Sequence, residues 1–152
     1  VISRDVSDYK VSLIDDNIER LGISNIDVQV YNALDKDDSL VGKADIVIAD
    51  LPCSGLGIMG RKPDIRYNIS PEKISDIIRL QRDILEVVSM YVKPGGTLVY
   101  STCTINRSEN EDNADWICTS LGFTRDGEYV QMLPSPDKDN DGFFVARLIK
   151  NR

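Results

Sequence analysis

Two short stretches of the chain gather residues able to do covalent chemistry: Asp50-Leu51-Pro52-Cys53-Ser54-Gly55 and Ser101-Thr102-Cys103-Thr104. A thiol attacks carbon only as thiolate, so its ordinary pKa of ~8.5 must be lowered or its proton moved away. Each stretch follows an apolar run that reads as a buried strand, residues 44–49 before the first and 97–100 before the second. In an open parallel sheet, ligands bind beyond the carboxyl ends of the strands. The two turns therefore predict two cysteines and an aspartate at one sheet edge. A cysteine beside an apolar strand is usually a small core residue, and Cys118, on the apolar side of its helix, takes that reading. Cys53 and Cys103 differ, because each sits among turn residues with hydroxyls around it.

The elements that must position them alternate between strand and helix with short connections, which predicts an α/β domain with a largely parallel sheet. Residues 1–4 read as a strand that begins part-way. Ser7 can cap a helix running to Leu21, with Leu13, Ile14, Ile18 and Leu21 on one face and Gly22 as its stop. Ile26, Val28 and Val30 alternate as in a strand. Ile46-Val47-Ile48 is a continuous apolar run, as expected of a central strand covered on both faces. Ser70-Pro71 places a cap before a proline at the first helical position, and the helix gives way at Lys93-Pro94-Gly95-Gly96 to the next strand. Ser108 and Glu111 have the spacing of a capping box. Residues 128–133 and 143–149 predict a terminal antiparallel hairpin.

Bulk composition narrows the chemistry. The chain has 152 residues and a net charge of -7, so its surface as a whole does not attract nucleic acid. It has no histidine, which excludes histidine triads and histidine metal ligands. Its three cysteines include no C-x-x-C pair, which argues against a disulfide framework or a zinc site and for reduced, cytoplasmic thiols. No run is long enough to span a membrane. Asp137-Lys138-Asp139-Asn140-Asp141-Gly142 opens like a calcium loop, but Leu148 stands where the bidentate glutamate belongs, so a solvated hairpin turn is expected.

Asp50-Leu51-Pro52-Cys53-Ser54-Gly55-Leu56-Gly57 is followed by Arg61-Lys62-Pro63-Asp64, Leu80-Gln81, Lys93-Pro94-Gly95-Gly96 and Ser101-Thr102-Cys103-Thr104. Ser108-Glu109-Asn110-Glu111 and Asp141-Gly142-Phe143-Phe144-Val145-Ala146-Arg147 complete the series. In this order, over essentially the whole chain, they resemble the S-adenosylmethionine-dependent RNA cytosine-5 methyltransferases of the Sun/Fmu type, which modify small-subunit ribosomal RNA. The resemblance implies a Rossmann-like methyltransferase fold, mostly parallel, with a C-terminal antiparallel hairpin. It also implies a covalent mechanism. Cytosine C5 accepts a methyl group only after a thiolate adds to C6. Either cysteine suits that step on sequence grounds alone. The resemblance makes Cys103 the nucleophile, Cys53 the residue promoting release, and Asp50 the group at the cytosine N3/N4 edge. A cysteine at position 53, where amino-methylating enzymes carry an aromatic residue, favours carbon methylation.

For the methyl donor, the resemblance places Asp5 at the ribose of S-adenosyl-L-methionine and Asn32, an aspartate in most relatives, at the adenine amine, with Asp50 also on the cofactor side. The glycine-rich cofactor turn and first strand of such folds are expected upstream of Val1. Residues 1–152 therefore read as part of a catalytic domain, expected to bind the donor poorly and to be inactive alone, with an upstream RNA-binding region supplying most affinity. Arg61, Lys62 and Arg66 form the one notable basic cluster and are expected to hold RNA phosphates. The alternatives are a DNA cytosine-5 methyltransferase, against which the second motif cysteine speaks, and a non-catalytic interaction module.

Overall fold

The computed structural model describes residues 1–135, 137 and 139–152. Lys138, inside the calcium-like stretch, lies outside the described residues. Two compact units are present, Val1–Asp37 and Asp38–Arg152.

The first unit is a β-α-β element. Strand β1 (Ile2–Asp5), helix α1 (Asp8–Leu21) and strand β2 (Asp27–Val30) follow in order, and β1 pairs with β2 in parallel, from Ile2 with Asp27 to Asp5 with Val30. The sequence signals for α1 act as read. The Ser7 hydroxyl accepts from the Lys10 amide at 3.4 Å, and Gly22 takes a left-handed φ of 64° whose N–H reaches Glu19 and Ile18 carbonyls. Arg4 ties the strands laterally, donating to Gln29 Oε1 at 2.9 Å and to Asp37 Oδ2 at 2.6 Å, with its guanidinium stacked 4.0 Å from the Tyr31 ring centre. The apolar stripe of α1 buries nothing completely: Ile14 and Ile18 are half-buried, Leu13 and Leu21 exposed.

The second unit carries the core. It contains β3 (Ala44–Asp50), a 3-10 turn at Leu56–Ile58, α2 (Ile65–Asn68), α3 (Pro71–Ser89), β4 (Val92–Thr102), α4 (Glu111–Ser120), β5 (Phe123–Arg125), β6 (Val130–Met132) and β7 (Phe143–Lys150). The sheet order is β3-β4-β7-β5, with β6 also on β7; β3 and β4 are parallel, and β7 is antiparallel to β4, β5 and β6. The expected terminal hairpin is β6 and β7. Cross-strand rows Val47–Leu98–Leu148 and Ala49–Tyr100–Ala146 share one face, with Leu85 of α3 and Ala114 and Ile117 of α4 in the same buried cluster. Burying a side chain the size of Leu98 or Leu148 contributes about 1.5–3 kcal/mol. Among the described residues no helix is long and apolar enough to cross a membrane.

Three local expectations are corrected. Ile46 and Ile48 are 62% and 73% exposed, so β3 is not covered on both faces. Its apolar run reflects one covered and one open face, and among the described residues only β4 pairs with it. Lys93-Pro94-Gly95-Gly96 lies inside β4 rather than before it, as a bulge that shifts register between the Ala44–Val92 and Ile46–Thr97 pairs. Ser108 and Glu111 form no capping box: α4 begins at Glu111 after Asn110, which makes no side-chain cap. The Asn110 side chain is drawn inward instead, accepting from the Thr102 hydroxyl at 2.5 Å and donating to the Thr104 carbonyl at 3.0 Å.

Candidate active site

Strands β3 and β4 stay paired until both cysteine loops depart. The last ladder pair is Asp50 with Ser101, and the Ser101 hydroxyl donates to Asp50 Oδ1 at 3.0 Å. Beyond it, at the carboxyl ends of the parallel strands, Cys53 Sγ and Cys103 Sγ lie 3.2 Å apart as free thiols. Both are half-buried, while Asp50 is exposed. Burial above all, and then the hydrogen bond and charge of Cys103, push the Cys53 thiol from an ordinary 9.0 up to about 12. Cys53 therefore keeps its proton near neutral pH, and either sulfur can be the donor of the pair. The three groups that the sequence placed at one edge do meet there.

The loops are braced by buried polar side chains. The Glu109 side chain is fully buried and accepts from the Ser54 amide at 2.7 Å and from Asn106 Nδ2 at 2.9 Å. Gln81, from α3, donates to the Pro52 carbonyl at 2.8 Å, reaches Glu109 at 3.5 Å, and accepts from Asn113 Nδ2 at 2.8 Å. Asn113 in turn accepts from Arg82 Nε at 2.9 Å. The Ser54 and Thr104 hydroxyls share a 2.8 Å bond across the two loops. Burial holds the Tyr100 phenol above its usual range, and it donates to the Glu109 carbonyl. The sequence reading assigned no role to Gln81, Glu109, Asn110 or Asn113. The available signal was that Gln81, Glu109 and Asn110 stand in the motif series, whose local pattern cannot tell a buried polar group from a solvated one.

Backbone closes the arrangement. The Gly57 N–H donates to the Cys103 carbonyl at 3.1 Å, and the Gly57 carbonyl accepts from Gly142 N–H at 2.7 Å. A Cβ on Gly57 would stand 2.6 Å from the Gly142 oxygen and 2.7 Å from the Cys103 oxygen, so only glycine fits.

A cleft of about 400 Å³ opens beside Cys53, lined in part by Arg61, Lys62, Ile65, Lys73 and Ile77. Two residues of the predicted basic cluster thus flank the thiol, whereas Arg66 is exposed on α2 and is not among the lining residues. Arg61 is engaged by Asp141 at 3.0 Å. Lys73, near the start of α3, is a lining cation that the sequence reading missed, because it looked like an ordinary surface lysine of a first helical turn.

Asp5 and Asn32 belong to the first unit. Asp5 ends β1, where Oδ1 accepts from the Ser7 amide at 2.9 Å and Oδ2 lies 3.5 Å from Lys10 Nζ. Asn32, exposed just beyond β2, accepts from the Leu34 amide at 3.1 Å. Both sit at the carboxyl ends of parallel strands, and each oxygen retains acceptor capacity beyond its turn contact. An acid and an amide so placed fit ribose hydroxyls and a base amine.

Comparison with known proteins shows the family. The profile of the family described as "16S rRNA methyltransferase RsmB/F" matches residues 1–149. Ribosomal RNA small subunit methyltransferase F of Salmonella paratyphi A is 34% identical over 171 residues, taking in 99% of this chain and 35% of that protein. The chain thus spans about a third of the curated relatives it matches. The crystal structure of NSun6 from Pyrococcus horikoshii with SFG superposes with a TM-score of 0.81 at 26% identity, covering 99% of this chain and 41% of that one. A methyltransferase homolog protein from Pyrococcus horikoshii gives 0.82 at 24% identity, covering 98% and 52%, and supports the fold. The architecture is that of S-adenosylmethionine-dependent methyltransferases, and with the family profile matching residues 1–149, the chain belongs to the RsmB/F family of 16S ribosomal RNA methyltransferases.

Proposed function

We propose that this chain carries the cytosine-side chemistry of methylation at C5 of a cytosine in RNA, ribosomal RNA of the small subunit, through a covalent adduct between Cys103 and C6 of the base, and that residues 1–152 alone are inactive. The observation that carries the reading is the pair of free thiols 3.2 Å apart at the ends of β3 and β4, one of them held protonated. A single thiol would suffice to add to C6. Two in contact suit a reaction in which sulfur must both attack and leave.

The thiolate of Cys103 forms the S–C6 bond while the carboxyl group of Asp50 sits at the N3/N4 edge, and electron density moves to C5. S-adenosylmethionine, when bound, supplies a sulfonium-activated methyl group, and Asp5 and Asn32 are the residues suited to its ribose and adenine. After C5 is methylated its proton leaves, the ring double bond re-forms, and the S–C6 bond breaks with its electron pair returning to Cys103 sulfur. The S–H of Cys53, whose sulfur lies 3.2 Å from that of Cys103, stabilises the departing thiolate. Arg61, Lys62 and Lys73 around the cleft offer the local positive charge that an acidic surface otherwise lacks, suited to RNA phosphates. The target base must be unpaired or flipped out to reach the thiols.

The test uses the full-length enzyme, S-adenosylmethionine and RNA carrying 5-fluorocytosine, which once methylated has no C5 proton to lose and so retains the adduct. Cys103→Ala is expected to abolish the adduct and to lower methyl transfer by roughly 10³-fold or more. Cys53→Ala is expected to keep the adduct, accumulate it on ordinary RNA, and slow turnover. An adduct that survives Cys103→Ala and disappears in Cys53→Ala would exchange the two roles.

A further inference from the structure

We infer that Glu109 is the positioning residue that sets the separation of the two thiols. The inference deepens the reading above, since it concerns how the two sulfurs of that site are held. Each oxygen of its carboxyl group holds one cysteine loop. Oε2 accepts from the amide of Ser54, the residue directly after Cys53. Oε1 accepts from Asn106 Nδ2, three residues after Cys103, and the Asn106 amide N–H donates to Thr104 Oγ1 at 3.2 Å. The side chain is fully buried, so water does not substitute for either contact. Gln81 adds a third donor toward Oε2. Every group facing this carboxyl is therefore a donor, and the site calls for a double acceptor.

The surrounding bonds show why glutamine cannot replace it. With its amide nitrogen toward Ser54, a glutamine would oppose donor to donor. With that nitrogen toward Asn106, the Asn106 amide must turn over, and its own nitrogen then meets the Ser108 N–H, which now donates to Asn106 Oδ1 at 3.2 Å. The first orientation leaves the buried Ser54 amide unpaired and the second the half-buried Ser108 amide, a loss at either loop. Asn106→Asp offers a remedy: its carboxylate accepts from a glutamine at 109 and from the Ser108 amide together. The double variant restores the clamp with its polarity reversed.

Phenylarsine oxide reads the separation directly, because one arsenic must reach both sulfurs; two S–H groups and the As=O group give one dithioarsane and one water. The bridge between Cys53 and Cys103 is followed by peptide mass in a Cys118→Ala background, at a temperature where each variant keeps the wild-type circular dichroism. Glu109→Gln is expected to slow bridging by about tenfold, and Glu109→Gln with Asn106→Asp to return it to within about threefold of wild type. Should Glu109→Gln fail to fold, the double variant alone decides. Unchanged bridging in a folded Glu109→Gln chain, or slow bridging in a folded double variant, would overturn the inference, even if both melt at lower temperature. The assay uses neither RNA nor methyl donor, so an RNA adduct that does not depend on Cys103 would count against the proposed function and leave this inference standing.

Discussion

Val1–Asp37 and Asp38–Arg152 are written in the same grammar and held together by different means. Each has a serine-capped helix beside parallel strands, at Ser7 and at Ser70. Yet among the described residues every buried side chain lies at or after Ala49. The first unit rests on caps, four ladder pairs and the contacts of Arg4, each worth on the order of 1 kcal/mol. The second rests on a continuous apolar layer topped by a buried polar network. Secondary structure signals thus say where a helix starts; they do not say whether its apolar face finds a partner.

Substitutions in the two units should separate accordingly. Leu98→Ala, at the centre of the buried layer, is expected to cost about 2–5 kcal/mol in urea unfolding. Val28→Ala, in half-buried β2, should cost less than about 1 kcal/mol. Equal losses at the two positions would break the contrast.

The glycines repeat it on a smaller scale. Gly57→Ala forces a methyl group against two carbonyl oxygens of the second unit and should cost about 1–3 kcal/mol, with slower methyl transfer because the Cys103 loop must shift. Gly22→Ala meets no atom within 4 Å, and only its left-handed φ of 64° penalises it, by about 1–2 kcal/mol. Thermal melts of both variants, read by near-ultraviolet signal, would sharpen the distinction between crowding and backbone strain.

A further contrast depends on pH and belongs to the second unit alone. Burial raises the folded-state pKa of Cys53 from 9.0 to about 12, so folding favours its protonated form. That contribution is complete below pH 9 and is lost as pH climbs from 9 toward 12. Cys53→Ser should flatten this alkaline loss of stability. In the native chain, Cys53 alkylation should stay slow at pH 9, where an ordinary thiol is already half ionised.

Much of this was legible in the sequence. The Ser7 and Ser70 caps, the stop at Gly22, the closing hairpin and the meeting of Asp50, Cys53 and Cys103 all follow from local pattern and the rule of strand ends. The open face of β3 was not legible, because Ile46-Val47-Ile48 reads alike whether one face or two are covered. Nor was the loss of the Ser108–Glu111 capping box, since a local hydrogen bond was outcompeted by long-range ones that pull Glu109 and Asn110 inside. Gln81, Glu109 and Asn113 come from distant points of the chain, and only folding reveals that they share one interior.

Strand β7 has a consequence for how the molecule comes into being. It follows β4, β5 and β6 in the chain and pairs with all three, and Gly142, just before it, locks Gly57. During vectorial synthesis the Cys103 strand therefore leaves the ribosome with one edge bare. The bond from Gly142 to Gly57, which closes the turn after Cys53, forms only when the segment before β7 arrives. Chains stalled before Phe143 should hold flexible, readily alkylated thiols, so reactivity at these cysteines is a clock for completion of the fold.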